Sequence, residues 1–272
     1  MDKFYVLGKF VTNSYSPKLF KIIFDQLQIT KACYKYKNFD NNELDIFLNN
    51  KCFKGANITS PFKKNIIQYL NFKDKIVEEL DSCNCVVNKQ NQLFGYNTDC
   101  YGFEKLLRIN NLFNKKLKFL IFGSGGSVNS IIWVLNKLGC KDVTMVYRND
   151  YRFKLITKKF TMLKIHGIKY ENLFQKHIIN HDIIINATSI LRTSIYKKKF
   201  MINSKINDVV ALDLQYSKTK TPFLDLFNDG IKKIDGVDML IFQAFESLDI
   251  WFEGSLSKNL NYNDIKLKLI KE

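Results

Sequence analysis

The sequence predicts an α/β protein of two domains, and three observations predict it. Apolar, strand-like runs alternate with amphipathic helical stretches along most of the chain. A glycine-rich turn, Gly123-Ser124-Gly125-Gly126, follows the clearest of these runs and opens a helix. At 272 residues the chain is also long enough to build two cores of ordinary size.

Taken in order, FYVLG (4–8) reads as a strand and a helix runs from Pro17 through Leu27. A short strand is expected before Gly55. Ser60 is placed to cap a helix that Pro61 begins, because proline at the first helical position has no amide hydrogen to lose. Phe62, Ile66, Ile67 and Leu70 give that helix an apolar face. Lys63 then falls in the first turn, where the helix dipole disfavours a cation. An anion nearby, or a use for the charge, is expected.

A hairpin is expected through 84–96 about Lys89-Gln90-Asn91, followed by a helix carrying Phe103, Leu106 and Leu107. KLKFLIFG (116–123) is a buried strand, and the helix through IIWVLNKL stops at Gly139. DVTMVY (142–147), DIIIN (182–186) and VVALDL (209–214) add strands to a parallel sheet with helices on both faces.

Composition narrows the function. The formal charge of +16 suggests a polyanion partner, but lysine is spread along the whole chain and the longest basic run is Lys197-Lys198-Lys199. Basicity of this kind favours small anions without implying nucleic acid. No apolar run approaches the roughly 20 residues of a membrane span. The start, MDKFYVLGKF, lacks the features of a signal peptide, so a cytoplasmic location is expected. Six scattered cysteines and three histidines show no metal-ligand spacing, and the thiols read as packing residues.

The glycine turn lets backbone amides approach a pyrophosphate at a helix N-terminus, as in a Rossmann-type dinucleotide domain. Val128 stands where such turns carry a smaller residue. After the next strand, an NAD-specific protein tends to place an acidic residue; here the stretch is Val146-Tyr147-Arg148-Asn149-Asp150-Tyr151-Arg152. Arg148 and Arg152 are two of the four arginines, at 108, 148, 152 and 192, in a lysine-rich chain. Guanidinium grips phosphate bidentately, which favours NADP over NAD; solvated surface arginines are the alternative.

Further stretches complete a pattern. They are Ser14-Tyr15-Ser16-Pro17, Gly55-Ala56-Asn57-Ile58-Thr59-Ser60-Pro61-Phe62-Lys63, and Gly95-Tyr96-Asn97-Thr98-Asp99 before Gly102-Phe103. Asn186-Ala187-Thr188-Ser189, Tyr216 before Thr221-Pro222, and Met239-Leu240 before Gln243-Ala244 follow. Read together, in order over nearly the whole chain, they resemble the shikimate dehydrogenase family. The NxTxPFK and GYNTD pair is the most specific part.

The resemblance implies NADPH-dependent reduction of 3-dehydroshikimate to shikimate, in chorismate and aromatic amino-acid biosynthesis. It implies a substrate-binding catalytic domain of residues 1–101 and 237–272, and an NADP-binding Rossmann domain of residues 102–236. Ser14 and Ser16 match hydroxyls that hold the substrate carboxylate, and Tyr216 a tyrosine near it. Thr59, Asn84, Asp99 and Gln243 match side chains around the ring hydroxyls and carbonyl, and Lys63 and Asp99 match the catalytic pair, with Lys63 also touching substrate. Asn84 is assigned by its spacing from Lys63, since Ser82-Cys83-Asn84-Cys85 departs from the family's usual residues. Cofactor contacts are implied for Gly123, Ser124, Gly125, Gly126, Ser127, Arg148, Asn149, Arg152, Leu214 and Gly236. The implied partners are a small-molecule substrate and the cofactor, with no nucleic acid and no membrane; a homodimer is left open.

The chemistry needs these residue types. Hydride delivery to a ketone builds negative charge on oxygen, which a nearby ammonium stabilises and protonates. Simpler roles stand beside the functional ones: Asp99 also fits a cap on the helix that follows, Ser14 and Ser16 fit plain capping, and Gln243 fits a solvated helix flank. Departures from the family pattern are Tyr15, Tyr147, Leu191, Arg192 and Lys218, mostly in the cofactor half. The rivals are a quinate/shikimate dehydrogenase with relaxed substrate and cofactor choice, and a non-catalytic binding protein.

Overall fold

The computed structural model describes residues 1–188, 209–217 and 220–271, so Ser189, Leu191, Arg192, Lys218 and the lysine run at 197–199 lie outside the described residues. The chain divides into two compact units, Met1–Gly102 with Leu240–Glu272, and Phe103–Met239. Among the described residues, no helix is long and apolar enough to cross a membrane.

The first unit is built on a sheet in which β1 (Asp2–Gly8) is flanked by β2 (Ala32–Asn38) and β3 (Gly55–Ile58), both parallel to it. β5 (Cys85–Lys89) and β6 (Gln92–Tyr96) continue the sheet antiparallel, and the short β4 (Phe72–Lys73) closes its far edge. This sheet is therefore mixed, where alternation of strands and helices predicts a parallel one. The cause is the expected hairpin: Gln90 and Asn91 both adopt positive φ, which reverses the chain in a tight turn. α1 (Ser16–Gln26) buries Leu19, Phe20, Ile23 and Phe24, the stripe expected of a 3.6-residue period. α2 (Asn41–Asn50), α3 (Lys75–Leu80) and α4 (Thr98–Ile109) follow along the chain.

Two local expectations are corrected. The strand at the first motif begins at Gly55 instead of ending before it. The α-helix expected from Pro61 is a turn followed by a 3-10 segment, Asn65–Tyr69, and the Ser60–Pro61 peptide is cis. The reason is visible in the backbone hydrogen bonds. The Lys63 carbonyl accepts from the Cys83 amide at 2.8 Å, while the Ile67 amide turns to Lys64. Ile67 therefore closes an i→i−3 turn onto Lys64, while the Lys63 carbonyl is engaged by the residue two positions ahead of β5.

The second unit carries β7 (Phe119–Phe122), α5 (Gly126–Lys137), β8 (Asp142–Tyr147), α6 (Asp150–Lys159), β9 (Lys164–Lys169), α7 (Gln175–Ile179), β10 (Ile183–Asn186), β11 (Val210–Asp213) and β12 (Lys232–Ile234). Among the described residues all its strand pairs are parallel, in the order β12-β11-β10-β7-β8-β9. Counted from β7, this is the doubly wound order of a Rossmann sheet, with the crossover switching direction between β7 and β10. Continuous burial of β7 and β10 matches their central place. Gly139, at φ +81°, ends the turn after α5, as expected. α8 (Val237–Trp251) and α9 (Tyr262–Lys271) complete the chain.

Candidate active site

In the first unit the parallel strands β1 and β3 end side by side, with Leu7 opposite Ile58. The segments that leave these ends carry Ser14 and Ser16 after β1, and Thr59 and Lys63 after β3, so the carboxyl edge of the sheet collects them. Ser16 is buried, and its amide donates to the Ser14 hydroxyl at 3.2 Å. Tyr15, and neither serine, occupies the N-cap position of α1. Thr59 is half-buried; its amide donates to the Leu7 carbonyl.

Phe62 is wholly buried and anchors the turn, which leaves Lys63 pointing to α4. Its ammonium lies 2.5 Å from Oδ2 of Asp99, and both side chains are largely withdrawn from solvent, at 16% and 11% exposure. Asp99 sits in the first turn of α4, yet its carboxylate turns away from capping: Oδ1 accepts from the Asn84 amide at 2.8 Å. Asn84 also accepts from the Thr98 backbone amide through Oδ1, at 2.6 Å. A carboxylate held by an ammonium and an amide is fixed in orientation, and its remaining lone pairs stay able to accept from a hydroxyl.

Behind this pair lies a buried polar network. The Thr98 hydroxyl is 3.3 Å from Oδ1 of Asn84 and 3.3 Å from Oε1 of Gln243. One hydroxyl proton cannot serve both, so the two amide oxygens compete for it. Gln243 is buried, and its Nε2 donates to the Leu240 carbonyl at 3.0 Å, which rules out a solvated flank. Ser247, one turn along α8, lies 3.2 Å from the Thr98 hydroxyl and accepts from Asn57 at 2.9 Å. Asn57 in turn accepts from the Tyr34 hydroxyl. Asn57, Thr98 and Ser247 were not singled out as site residues from the sequence; Asn57 and Thr98 stand inside its two most specific motifs.

In the second unit the glycine turn follows β7 at the crossover switch. Gly123 has φ +120°, and a Cβ there would come within 3.0 Å of the Ala187 carbonyl. Among the described residues, a Cβ at Gly125 or Gly126 would meet nothing within 4 Å, and the turn leads into the N-terminus of α5, where backbone amides suit a pyrophosphate. Val128 is wholly buried beneath the turn and is accommodated there. Past the end of β8, Arg148 and Arg152 are exposed, and Asn149 caps α6 by accepting from the Arg152 amide at 2.9 Å.

Asn186 has a structural partner that the sequence did not announce. It donates to the buried carboxyl of Asp213 at 2.8 Å, and the Gln215 amide and Thr221 hydroxyl donate to the same group. Burial pushes the Asp213 carboxyl above its ordinary range, and these donors offset only part of the rise. The network shapes the loop from Leu214 to Tyr216. Gly236 is packed against that loop: a Cβ would lie 2.2 Å from the Leu214 carbonyl. Tyr216 is half-buried and belongs to the second unit, apart in the chain from the Lys63 cluster of the first.

Comparison with known proteins gives consistent relatives. A family model described as the shikimate dehydrogenase substrate binding domain matches residues 6–86, and one described as shikimate/quinate 5-dehydrogenase matches residues 107–217. The shikimate dehydrogenase (NADP(+)) of Clostridium botulinum (strain Loch Maree / Type A3) is 33% identical over 251 residues, spanning 90% of this chain and 95% of that protein. The solved structure of shikimate dehydrogenase from Aquifex aeolicus superposes with a TM-score of 0.83 at 26% identity, covering 100% of this chain and 98% of that one. Shikimate dehydrogenase 1 from Peptoclostridium difficile gives 0.81 at 27% identity, over 99% and 100% of the two chains.

Proposed function

The chain belongs to the shikimate dehydrogenase family, and from that premise we propose that it catalyses the reversible, NADPH-dependent reduction of 3-dehydroshikimate to shikimate. The observation that carries the reading is the 2.5 Å contact between the Lys63 ammonium and the Asp99 carboxylate at the carboxyl edge of the first sheet.

Bound NADPH supplies the hydride for the ketone carbon. Lys63 stabilises the charge that grows on the carbonyl oxygen and transfers a proton to it; in the oxidative direction neutral Lys63 takes that proton from the alcohol. Asp99 orients the amine and accepts a hydrogen bond from a ring hydroxyl. Asn84, Thr59 and Gln243 complete the polar surround of the ring, and Ser14 and Ser16 bind the carboxylate. The first unit, Met1–Gly102 with Leu240–Glu272, acts as the substrate domain and the second as the cofactor domain. In the second, residues 123–127 with Leu214 and Gly236 hold the dinucleotide, and Arg148, Asn149 and Arg152 receive its 2′-phosphate. A cytoplasmic setting belongs to this reading, and the free state of all six cysteines supports it.

A spectrophotometric assay of NADP reduction tests the proposal, with shikimate as substrate and quinate as control. Turnover of shikimate well above quinate is expected. Equal turnover of both would favour the broader quinate/shikimate activity, and strongly salt-dependent DNA binding without reductase activity would favour a binding protein.

A further inference from the structure

β8 and β9 run parallel with Tyr147 opposite Lys169, so the two strands end together. Two contacts join their ends. The Arg148 guanidinium stands over the Tyr170 ring at 4.9 Å from its centroid. Next to it, Nζ of Lys169 is 2.9 Å from Oδ2 of Asp150. The Lys169 ammonium holds the Asp150 carboxyl below its usual range, so the group is charged and paired at neutral pH.

Asp150 is the only acidic residue between Val146 and Arg152. Left to itself, a carboxylate here would repel a 2′-phosphate and offer an acceptor to an unphosphorylated ribose hydroxyl, the feature that selects NAD. Pairing with Lys169 offsets both effects. A ring beneath a guanidinium holds it by cation–π attraction and adds no opposing charge. Tyr170 thus limits the orientations of Arg148 while leaving its positive charge for a phosphate.

We propose that Lys169 and Tyr170, at the end of β9, are positioning residues that set this chain's preference for a 2′-phosphorylated dinucleotide. Tyr170 presents Arg148, and Lys169 occupies Asp150. The inference rests on the reading of Arg148 as a phosphate ligand.

The test is fluorescence titration of the full chain with NADPH and with NADH, read as the ratio of the two binding constants, alongside steady-state kinetics, read as the ratio of the two kcat/KM values. Tyr170→Leu and Lys169→Met should each lower that ratio about twofold to fivefold, chiefly through the KM for NADPH. Tyr170→Phe, which keeps the ring, should restore it. A merely structural role would impair both cofactors alike and leave the ratio where it was. An unchanged ratio in either variant, with Arg148→Leu lowering it, overturns the inference alone. If Arg148→Leu also leaves the ratio unchanged, the phosphate-ligand reading falls and the inference falls with it.

Discussion

Asn84 and Lys63 divide the Asp99 carboxylate between them, the amide taking Oδ1 and the ammonium Oδ2. The same asparagine accepts from the Thr98 backbone, so the start of α4 and the direction of its acidic side chain are set by one residue of the chain before β5. Replacing Asn84 by Ala leaves a buried carboxylate oxygen and a buried amide each short of a partner. A loss of about 1–3 kcal/mol in stability is expected, because an unsatisfied buried polar group carries its desolvation penalty. Urea denaturation should show a lower midpoint at unchanged slope.

On the proposed reading, Lys63→Ala removes the proton donor. Turnover should fall about 10²–10⁴-fold, the usual contribution of a positioned general acid. Binding of NADPH, followed by fluorescence titration, should stay near its original affinity. Near-normal turnover in this variant would remove Lys63 from the chemistry.

Gly55 is the close approach that seats α8 on the first sheet. A Cβ there would lie 2.5 Å from Nε1 of Trp251, which donates to the Val86 carbonyl at 3.0 Å. Gly55→Ala should therefore cost about 1–3 kcal/mol by overpacking. A shift in tryptophan emission should accompany the lower unfolding midpoint.

His181 gives the second unit a pH dependence of defined sign. Its Nδ1 faces the His177 carbonyl and its Nε2 the Thr144 hydroxyl at 2.8 Å, so the neutral ring with a proton on Nδ1 satisfies both. Burial lowers its pKa below the ordinary value. The unfolded imidazole then binds its proton first as pH falls. The stability it contributes is present above about pH 6.5 and is lost toward the lower folded value, at no more than about 1.4 kcal/mol per pH unit. Unfolding midpoints measured from pH 7.5 to 5.5, with His181→Gln as reference, should show this slope in the parent and a flatter one in the variant.

β7 and the glycine turn after it are legible in the sequence because their signals are local. β7 is a continuous apolar run ending in glycine, and the residues that determine both lie within one short stretch. β2 and β9 gave no such signal: each is an edge or near-solvent strand with mostly exposed positions, so alternation is weak. The segment after Pro61 misled because Ser60 and Pro61 are favoured helix-start residues, while the Cys83 amide that engages the Lys63 carbonyl is reached only through the fold. Lys63, Asp99 and Gln243 stand out in the sequence only through motif resemblance. Periodicity alone could not pair Asn57 with Ser247, since 190 positions separate them.

That separation has a consequence for biosynthesis. On the ribosome, Asn57, Thr98 and the floor beneath Gly55 emerge early, but the stretch that supplies Gln243, Ser247 and Trp251 is translated after the whole of Phe103–Met239. The nascent first unit must wait with part of its interior open, while the second has its complete set of strands. Premature termination before α8 would leave the earlier domain, and not the later one, as the sticky product.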